Sequence, residues 1–369
     1  MPVHERGAPW APPPTLPPAV WLRHNCRCVE CIHAGNGQRH VEVADLPEDP
    51  AVETVWAEGA LVRIRFRPDG HEGVFDRERL ERWCRDDDAL PYDPRTEDAK
   101  RLWPAGGGGA VRELAWAAYC DDDSAKAAAL DGVLFDGAVL LTGVPARQRM
   151  VLDVARSLGF VRRTNYGELF DVRVEPNPTN LAFTSMSIAP HTDNPYRDPV
   201  PTVQLLHCLD NSAAGGRSGL VDGFRVAASL REQRPAAFAE MASTPVTFAF
   251  DSDDARLSAT RPMIDVDLHG RVREIRFNER SMQPVRLPAG AVEQFYGAYR
   301  AFARLLRRPE LQHRVRLAPG DCLVFDNTRM LHARTAFETG TGTRHLQGCY
   351  ADLDGLASTL ALLEGRRHV

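Results

Sequence analysis

Six runs rich in branched, aromatic and small apolar residues constrain this chain most. They are NLAFTSMSI, TVQLLHCLDN, SGLVDGF, HRVRLAPGDCLVFDN, RMLHARTAF and TRHLQGCYADL, all beyond residue 179. Most are bounded by Gly, Pro, Asn or Asp, as strands are. Helical patterns lie elsewhere: DRERLERWCRDDD (76–88), opened by Asp76 as an N-cap, VRELAWAAY (111–119), RQRMVLDVARSLG (147–159) with a Gly stop, and a long amphipathic stretch over 288–311. AVLLTGVP (138–145) reads as one buried strand. Strands crowding the middle and end of a chain, with helices at its start and as insertions, predict a mainly β fold, a β-sandwich core with helical decoration.

The first hundred residues have a different texture. Residues 8–18 are proline-rich, and TVWAEGALVRIRFRPDG (54–70) places apolar Leu61, Ile64 and Phe66 in a strand that ends at an Asp-Gly turn. WPAGGGGA (103–110) holds four consecutive glycines, whose entropic cost inside a regular element is large. A Gly-rich linker over 101–112 is therefore expected, between an N-terminal domain of 1–100 and a second domain of 113–369. A formal net charge of −5 offers no global basic surface to nucleic acid or anionic lipid. No apolar run approaches membrane-spanning length, and the N-terminus lacks the basic-then-apolar order of an export signal. A cytoplasmic enzyme is expected.

Without export, clustered cysteines point to metal rather than to disulfides. Cys26, Cys28 and Cys31 form Cys-x-Cys-x-x-Cys, compact enough to wrap three thiolates around one zinc ion. A closed tetrahedral site needs a fourth ligand. His24, His33, His40 and His71 are available, His33 being close along the chain. The scattered Cys84, Cys120, Cys208, Cys322 and Cys349 read as small buried apolar residues.

A second metal set begins in SIAPHTDNPYRDP (187–199). On a strand, His191 and Asp193 point to one face. The triplet alone says little. Twelve histidines and 50 acidic residues in 369 give about 1.6 accidental His-x-acid matches, and the chain has two, the other being His40-x-Glu42. What separates them is His332, far downstream in FDNTRMLHARTAF, after the turn Pro319-Gly320-Asp321. Two imidazoles and a carboxylate on one metal leave three positions open, which suits iron(II) with an oxidant and a co-substrate. Arg344 follows the turn-rich ETGTG (338–342). A hairpin centred near residue 340 would set Arg344 opposite roughly Thr335, about 10 Å along the sheet from His332. There a chelating five-carbon diacid would need a guanidinium fork for its far carboxylate.

Together HTDNPY, VQLLHCLDNSAAGGRSGLVDGF, PGDCLVFDNTRMLHART and TRHLQGCYADLDGL resemble the γ-butyrobetaine hydroxylase family, and the similarity extends into the N-terminal domain. The resemblance implies an Fe(II)- and 2-oxoglutarate-dependent oxygenase using O2, built on a double-stranded β-helix with a small N-terminal α+β zinc-binding domain. It implies that His191, Asp193 and His332 bind iron, that Arg344 holds the distal carboxylate of 2-oxoglutarate, and that Leu206 and Ser218 line the co-substrate pocket. It also implies His71 as the fourth ligand of a structural zinc, and a homodimer.

For the substrate, the resemblance implies a trimethylammonium group walled by Tyr166, Phe170, Phe183 and Tyr350, whose ring faces attract a cation. Two of these are Phe where better-known members carry Trp or Tyr. Asn180 and Asn278 match amide contacts to a carboxylate. Arg280 would share a face with Asn278 on an extended strand, so both could reach one anion; otherwise it is a surface residue paired with Glu279 or Glu274. The leading expectation is hydroxylation of γ-butyrobetaine to L-carnitine. Arg280 suggests a trimethylammonium alkylphosphonate as the alternative, while trimethyllysine lacks evident acceptors for its α-amino group. An inactive, oxygenase-fold interaction module is a remote third reading, against which the intact iron set argues.

Overall fold

A computed structural model describes residues 16–85, 93–104, 111–176 and 181–365. They fall into two compact units, one ending at Tyr92 and the other beginning at Asp93. The glycine run expected as a linker lies outside the described residues. The residues just before it belong to the second unit: Trp103 donates its backbone N–H to Asp222 Oδ2 (2.9 Å) and its indole N–H to Asp136 O (2.9 Å).

In the first unit, β1 (Ala51–Glu58), β2 (Leu61–Arg67) and β3 (Glu72–Asp76) form an antiparallel sheet in that order, with helices Ala19–His24 and Arg77–Arg85. The period-2 alternation buries Val62, Ile64 and Phe66 against Leu22, Phe75 and Leu80. Leu61, expected inside, is exposed because the buried register falls on the even positions. Asp76 ends β3, and its Oδ1 accepts the Arg79 N–H (2.9 Å), as an N-cap should.

The second unit is built on two sheets. The larger has the order β4 (Arg112–Ala115), β5 (Ala138–Thr142), β15 (Cys322–Asp326), β8 (Val203–Asn211), β17 (Arg344–Ala351), β6 (Phe170–Val172). The smaller has the order β14 (Gln312–Val315), β9 (Ser218–Asp222), β16 (Met330–Arg334), β7 (Ile188–His191). Side-chain alternation sorts each strand into two faces. Ala138, Leu140, Leu206, Cys208, Leu323, Phe325 and Leu346 of the larger sheet meet Leu220 and Met330 of the smaller in one core. The opposite faces, with Val139, Leu141, Val203, Leu205, Val324 and Cys349, pack beneath helices Asp123–Asp131, Met150–Leu158 and Leu353–Leu363. The reverse face of the smaller sheet, at Val221 and Leu331, is covered by helices Gly223–Gln233, Pro235–Ser243 and Ala289–Leu306. Two short hairpins, β10 (Val246–Asp251) with β11 (Arg256–Arg261) and β12 (Ile264–Val266) with β13 (Val272–Ile275), are inserted between these helices. The architecture is a double-stranded β-helix. No helix among the described residues is long and apolar enough to cross a membrane.

Four local expectations are corrected. VRELAWAAY is not one helix: Arg112–Ala115 pairs in parallel with β5, and the helix starts only at Trp116. NLAFTSMSI is not one strand: Leu181–Phe183 is a 3-10 turn and β7 begins at Ile188. Cys120 is exposed, although Cys84, Cys208, Cys322 and Cys349 are buried as expected. The hairpin near residue 340 does not pair Arg344 with Thr335. The chain crosses between the sheets there, and Arg344 pairs with Asn211 of β8.

A fully buried ion pair ties these layers together. Arg329 donates to both oxygens of Asp222 (3.0 and 2.7 Å), and to the carbonyls of Phe135 (2.8 Å) and Arg101 (2.9 Å). Burial alone would push the Asp222 carboxyl up, but Arg329 and the Trp103 and Arg225 N–H groups outweigh it and hold it below the ordinary value. Arg329→Met roughly keeps the volume but strips the buried Asp222 carboxylate of its counter-charge, leaving it only the backbone N–H groups of Trp103, Phe224 and Arg225. It is expected to lower unfolding stability by about 3–5 kcal/mol in denaturant titration. Because the native carboxyl is depressed, the stabilisation from ionised Asp222 is complete above about pH 4 and is lost as the pH falls further. A variant within about 1 kcal/mol of the parent would refute this account.

Candidate active site

The two histidines meet by strand pairing. β16 and β7 are antiparallel neighbours in which His332 is the direct cross-strand partner of His191, and their ring centroids lie 4.0 Å apart. Asp193 sits just past the end of β7, so its position needs other support. Asn327 supplies it, accepting the Asp193 N–H (2.8 Å) and donating to Asp193 O (3.0 Å) and Pro201 O (2.9 Å). Asn194 then turns the chain away at φ 55°, a conformation Asn tolerates. As a result Asp193 Oδ1 lies 3.4 Å from His191 Nε2 and 3.9 Å from His332 Nε2.

The protonation states suit a cation. His191 Nδ1 lies 3.0 Å from Ala189 O and donates to it, which leaves the Nε2 lone pair facing Asp193. Burial, the neighbouring His191 and the Arg280 charge push His332 down to about 3, and burial lowers His191 too. Burial would raise Asp193, yet its histidine neighbours and the Tyr350 hydroxyl hold it below the ordinary carboxylate range. One carboxylate between two neutral imidazoles, with ligand atoms all within 4.8 Å of one another, is a donor set that fits a divalent transition metal. The second carboxylate oxygen is already engaged. Asp193 Oδ2 accepts from the Tyr350 hydroxyl (2.8 Å) and from Gln204 Nε2 (2.8 Å), so Oδ1 alone faces the imidazoles.

These residues open into a cavity of about 520 Å³ that also carries Arg344, Leu206, Ser218, Tyr166, Phe170, Phe183, Asn278 and Arg280. Arg344 reaches it from the larger sheet, facing inward two positions before Leu346. Its Nε donates to Gly216 O (3.2 Å), and at Gly216, with φ 62°, an added Cβ would stand only 2.9 Å from the Arg344 side chain. Among the described residues no carboxylate pairs with it. Burial lowers it to about 10, still a cation at neutral pH. A buried, uncompensated guanidinium in a cavity that also holds a metal-ligand set fits the far carboxylate of a chelating diacid.

Three of the four expected ring walls form a chain of contacts. Phe170 lies 5.2 Å from Tyr350 and 6.2 Å from Tyr166, seated over Gly348, where an added Cβ would stand 2.3 Å from the ring. Phe183 lines the cavity from its 3-10 turn. Two rings that sequence reading missed complete the wall: Phe250 of β10, 5.8 Å from Tyr166, and Tyr196, 5.1 Å from Phe250. Phe250 enters from an inserted hairpin whose position no local pattern discloses. Gln204 and Asn327 were missed for the same reason, since their partners lie 11 and 134 residues away.

The polar end differs from expectation. Asn180 lies outside the described residues. Asn278 and Arg280 are not on an extended strand but in a turn, where Asn278 Oδ1 accepts the Arg280 N–H (3.1 Å) and its Nδ2 donates to Thr192 O (3.2 Å). Arg280 is exposed at the cavity wall and makes neither of the surface pairings considered for it. Glu279 accepts from the Tyr299 hydroxyl (3.1 Å), and Glu274 pairs with Arg276. A further cation, Arg334, also lines the cavity and donates to the carbonyls of Ala182, Leu181, Thr184 and Met186 (2.6–3.3 Å). It binds the segment that carries Phe183.

In the first unit, Cys26, Cys28, Cys31 and His71 converge. His71 Nε2 lies 3.3 Å from Cys26 Sγ, 3.6 Å from Cys28 Sγ and 3.5 Å from Cys31 Sγ. His33 and His40 are exposed and lie outside the cluster, which holds three thiols and one imidazole in the proportion of a closed zinc site.

Residues 102–350 match the taurine catabolism dioxygenase TauD, TfdA family, and residues 15–81 match the gamma-butyrobetaine hydroxylase-like N-terminal family. The chain is 36% identical to the gamma-butyrobetaine dioxygenase of Pseudomonas sp. (strain AK-1), covering 94% of this chain and 90% of that one. It is 31% identical to the gamma-butyrobetaine dioxygenase of Homo sapiens, covering 95% and 92%. The mitochondrial trimethyllysine dioxygenase of Bos taurus is 26% identical over 93% of this chain and 82% of its own. The chain therefore belongs to the γ-butyrobetaine hydroxylase family and is a 2-oxoglutarate-dependent dioxygenase.

Proposed function

We propose that this dioxygenase hydroxylates an unactivated C–H bond of a small trimethylammonium compound, with γ-butyrobetaine, giving L-carnitine, as the leading substrate. One observation carries the reading: a single cavity joins the His191–Asp193–His332 cluster, the uncompensated Arg344 and a wall of aromatic rings. Iron(II) and 2-oxoglutarate, when bound, supply the oxidising chemistry, in which O2 oxidatively decarboxylates the 2-oxo acid and delivers one oxygen atom to a C–H bond. The protein's own contribution is placement. His191, Asp193 and His332 hold the metal on one face. Arg344 grips the far carboxylate of the co-substrate, with Leu206 and Ser218 beside it. Tyr166, Phe170, Phe183 and Tyr350, extended by Phe250, take the trimethylammonium group, which offers no N–H for a hydrogen bond. Asn278, Arg280 and Asn180 serve the anionic end. The Cys26, Cys28, Cys31 and His71 cluster carries a structural zinc with no open position.

Arg280 favours a second reading. An exposed guanidinium at the cavity wall with no acidic partner among the described residues would suit a doubly charged phosphonate even better than a carboxylate. The test is succinate formation with γ-butyrobetaine and with a trimethylammonium alkylphosphonate side by side. We expect substrate-dependent succinate and a product heavier by one oxygen atom. Arg280→Ala should raise KM about tenfold for the true substrate, as the loss of a partly solvated charge-assisted contact would. Succinate release that no quaternary ammonium compound stimulates would overturn the reading.

A further inference from the structure

The three thiols of the Cys26, Cys28, Cys31 and His71 cluster are not equivalent. Cys26 Sγ accepts two backbone N–H groups, from Cys28 (3.3 Å) and Val74 (3.4 Å). Cys31 Sγ accepts the Arg23 Nη1–H (3.4 Å). Arg23 is itself buried and held by Asp69, whose Oδ2 accepts its Nε–H (2.8 Å) and whose Oδ1 accepts the His71 backbone N–H (3.3 Å). Among the described residues Cys28 Sγ has neither kind of donor. Its contacts among the described residues are within the cluster, His71 Nε2 at 3.6 Å. Exposure follows the same order, with Cys26 at 1%, Cys31 at 2% and Cys28 only half-buried.

Electron density on a thiolate is what attacks an electrophile, and every N–H···S bond withdraws some of it. We propose that Cys28 is a modification site for soft carbon electrophiles of the α,β-unsaturated carbonyl class, and that Arg23 shields Cys31 from the same fate. The inference rests on the reading of this cluster as a zinc site. In the step, the Cys28 sulfur adds to the β-carbon and an S–C bond forms. The C=C π pair shifts to the α-carbon and is protonated by water, and the zinc–sulfur bond breaks. No electrons are gained or lost overall. The thioether left behind is a weak ligand, so modification opens the site and releases zinc.

The experiment uses the full-length zinc-loaded protein, with Cys120→Ser removing the exposed thiol outside the cluster. Metal analysis comes first, and a protein that binds no zinc would overturn the zinc reading itself. With zinc bound, limiting N-ethylmaleimide is added, adducts are located by peptide mass spectrometry, and zinc release is followed with a chromogenic chelator. Cys28 should react at least about fivefold faster than Cys26 or Cys31, with zinc released in step with its first adduct. Arg23→Met should raise the Cys31 rate to within about twofold of Cys28 and leave Cys26 unchanged. Asp69→Asn, which only loosens Arg23, should move Cys31 the same way by less. Cys26 or Cys31 reacting first in the zinc-loaded protein, or a Cys31 rate indifferent to both substitutions, would overturn the proposal.

Discussion

Asp193→Ala is expected to abolish metal binding and reduce substrate-dependent succinate formation by at least about a thousandfold, well beyond the roughly 10–100-fold that loss of a metal ligand's supporting partner costs. The reason lies in the charge of the set. His191 and His332 are neutral imidazoles, so Asp193 is the one anion offered to a divalent ion by the cluster. The substitution also leaves the Tyr350 hydroxyl and the Gln204 amide without their acceptor, so the pocket wall loosens along with the metal. Anaerobic titration with Co(II), followed by visible absorption, measures binding apart from turnover. A folded variant with parental Co(II) affinity would show that the three residues do not share an ion.

Arg344→Met should raise the KM for 2-oxoglutarate by roughly 150-fold, corresponding to about 3 kcal/mol for the loss of one partner of a buried charge pair. Arg344→Lys keeps the charge without the fork and should fall between. The sharper comparison uses 2-oxobutyrate, a 2-oxo acid with no distal carboxylate. In the parent protein it should be used far less efficiently than 2-oxoglutarate, and in Arg344→Met the two should become nearly equal. Because Arg344 also bonds Gly216 O and lies over the Phe337 ring, denaturant unfolding of the variant separates lost recognition from lost structure. Unchanged discrimination between the two acids in a stable variant would remove Arg344 from the co-substrate site.

Legibility in the sequence followed the range of the forces involved. The runs that form β8 and β15 were readable as strands because the larger sheet is buried on both faces, Leu206 and Leu323 on one and Leu205 and Val324 on the other, which makes them nearly continuously apolar. His191, Asp193 and His332 were readable because metal ligation restricts residue type and because strand pairing brings such residues together in register. Residues 180–188 misled for a physical reason. Four carbonyls between Leu181 and Met186 find their donor in Arg334, about 150 residues on, so an apolar run needs no strand partner there. Arg344 was placed at the cavity by a wrong route. The segment after residue 335 folds against 212–217 instead of back on β16, with Ser212 N–H bonded to Thr343 O (2.9 Å) and Gly216 N–H to Ala336 O (3.0 Å). Local turn residues cannot distinguish a hairpin from such a crossing. Phe250 was invisible because an insertion's destination is set by packing alone, and the place of Tyr196 in the wall depends on its contact with Phe250.

Tyr350 lends its ring to the aromatic wall and its hydroxyl to Asp193. Drift in what this enzyme accepts therefore has unequal freedom around the pocket. Under the proposed function, exchanges at Phe170, Phe183 and Phe250 alter local packing and substrate fit, whereas any change at 350 that drops the phenol also removes a donor to the Asp193 carboxylate. Relatives that diverge in substrate should vary first at the former three and hold the hydroxyl last.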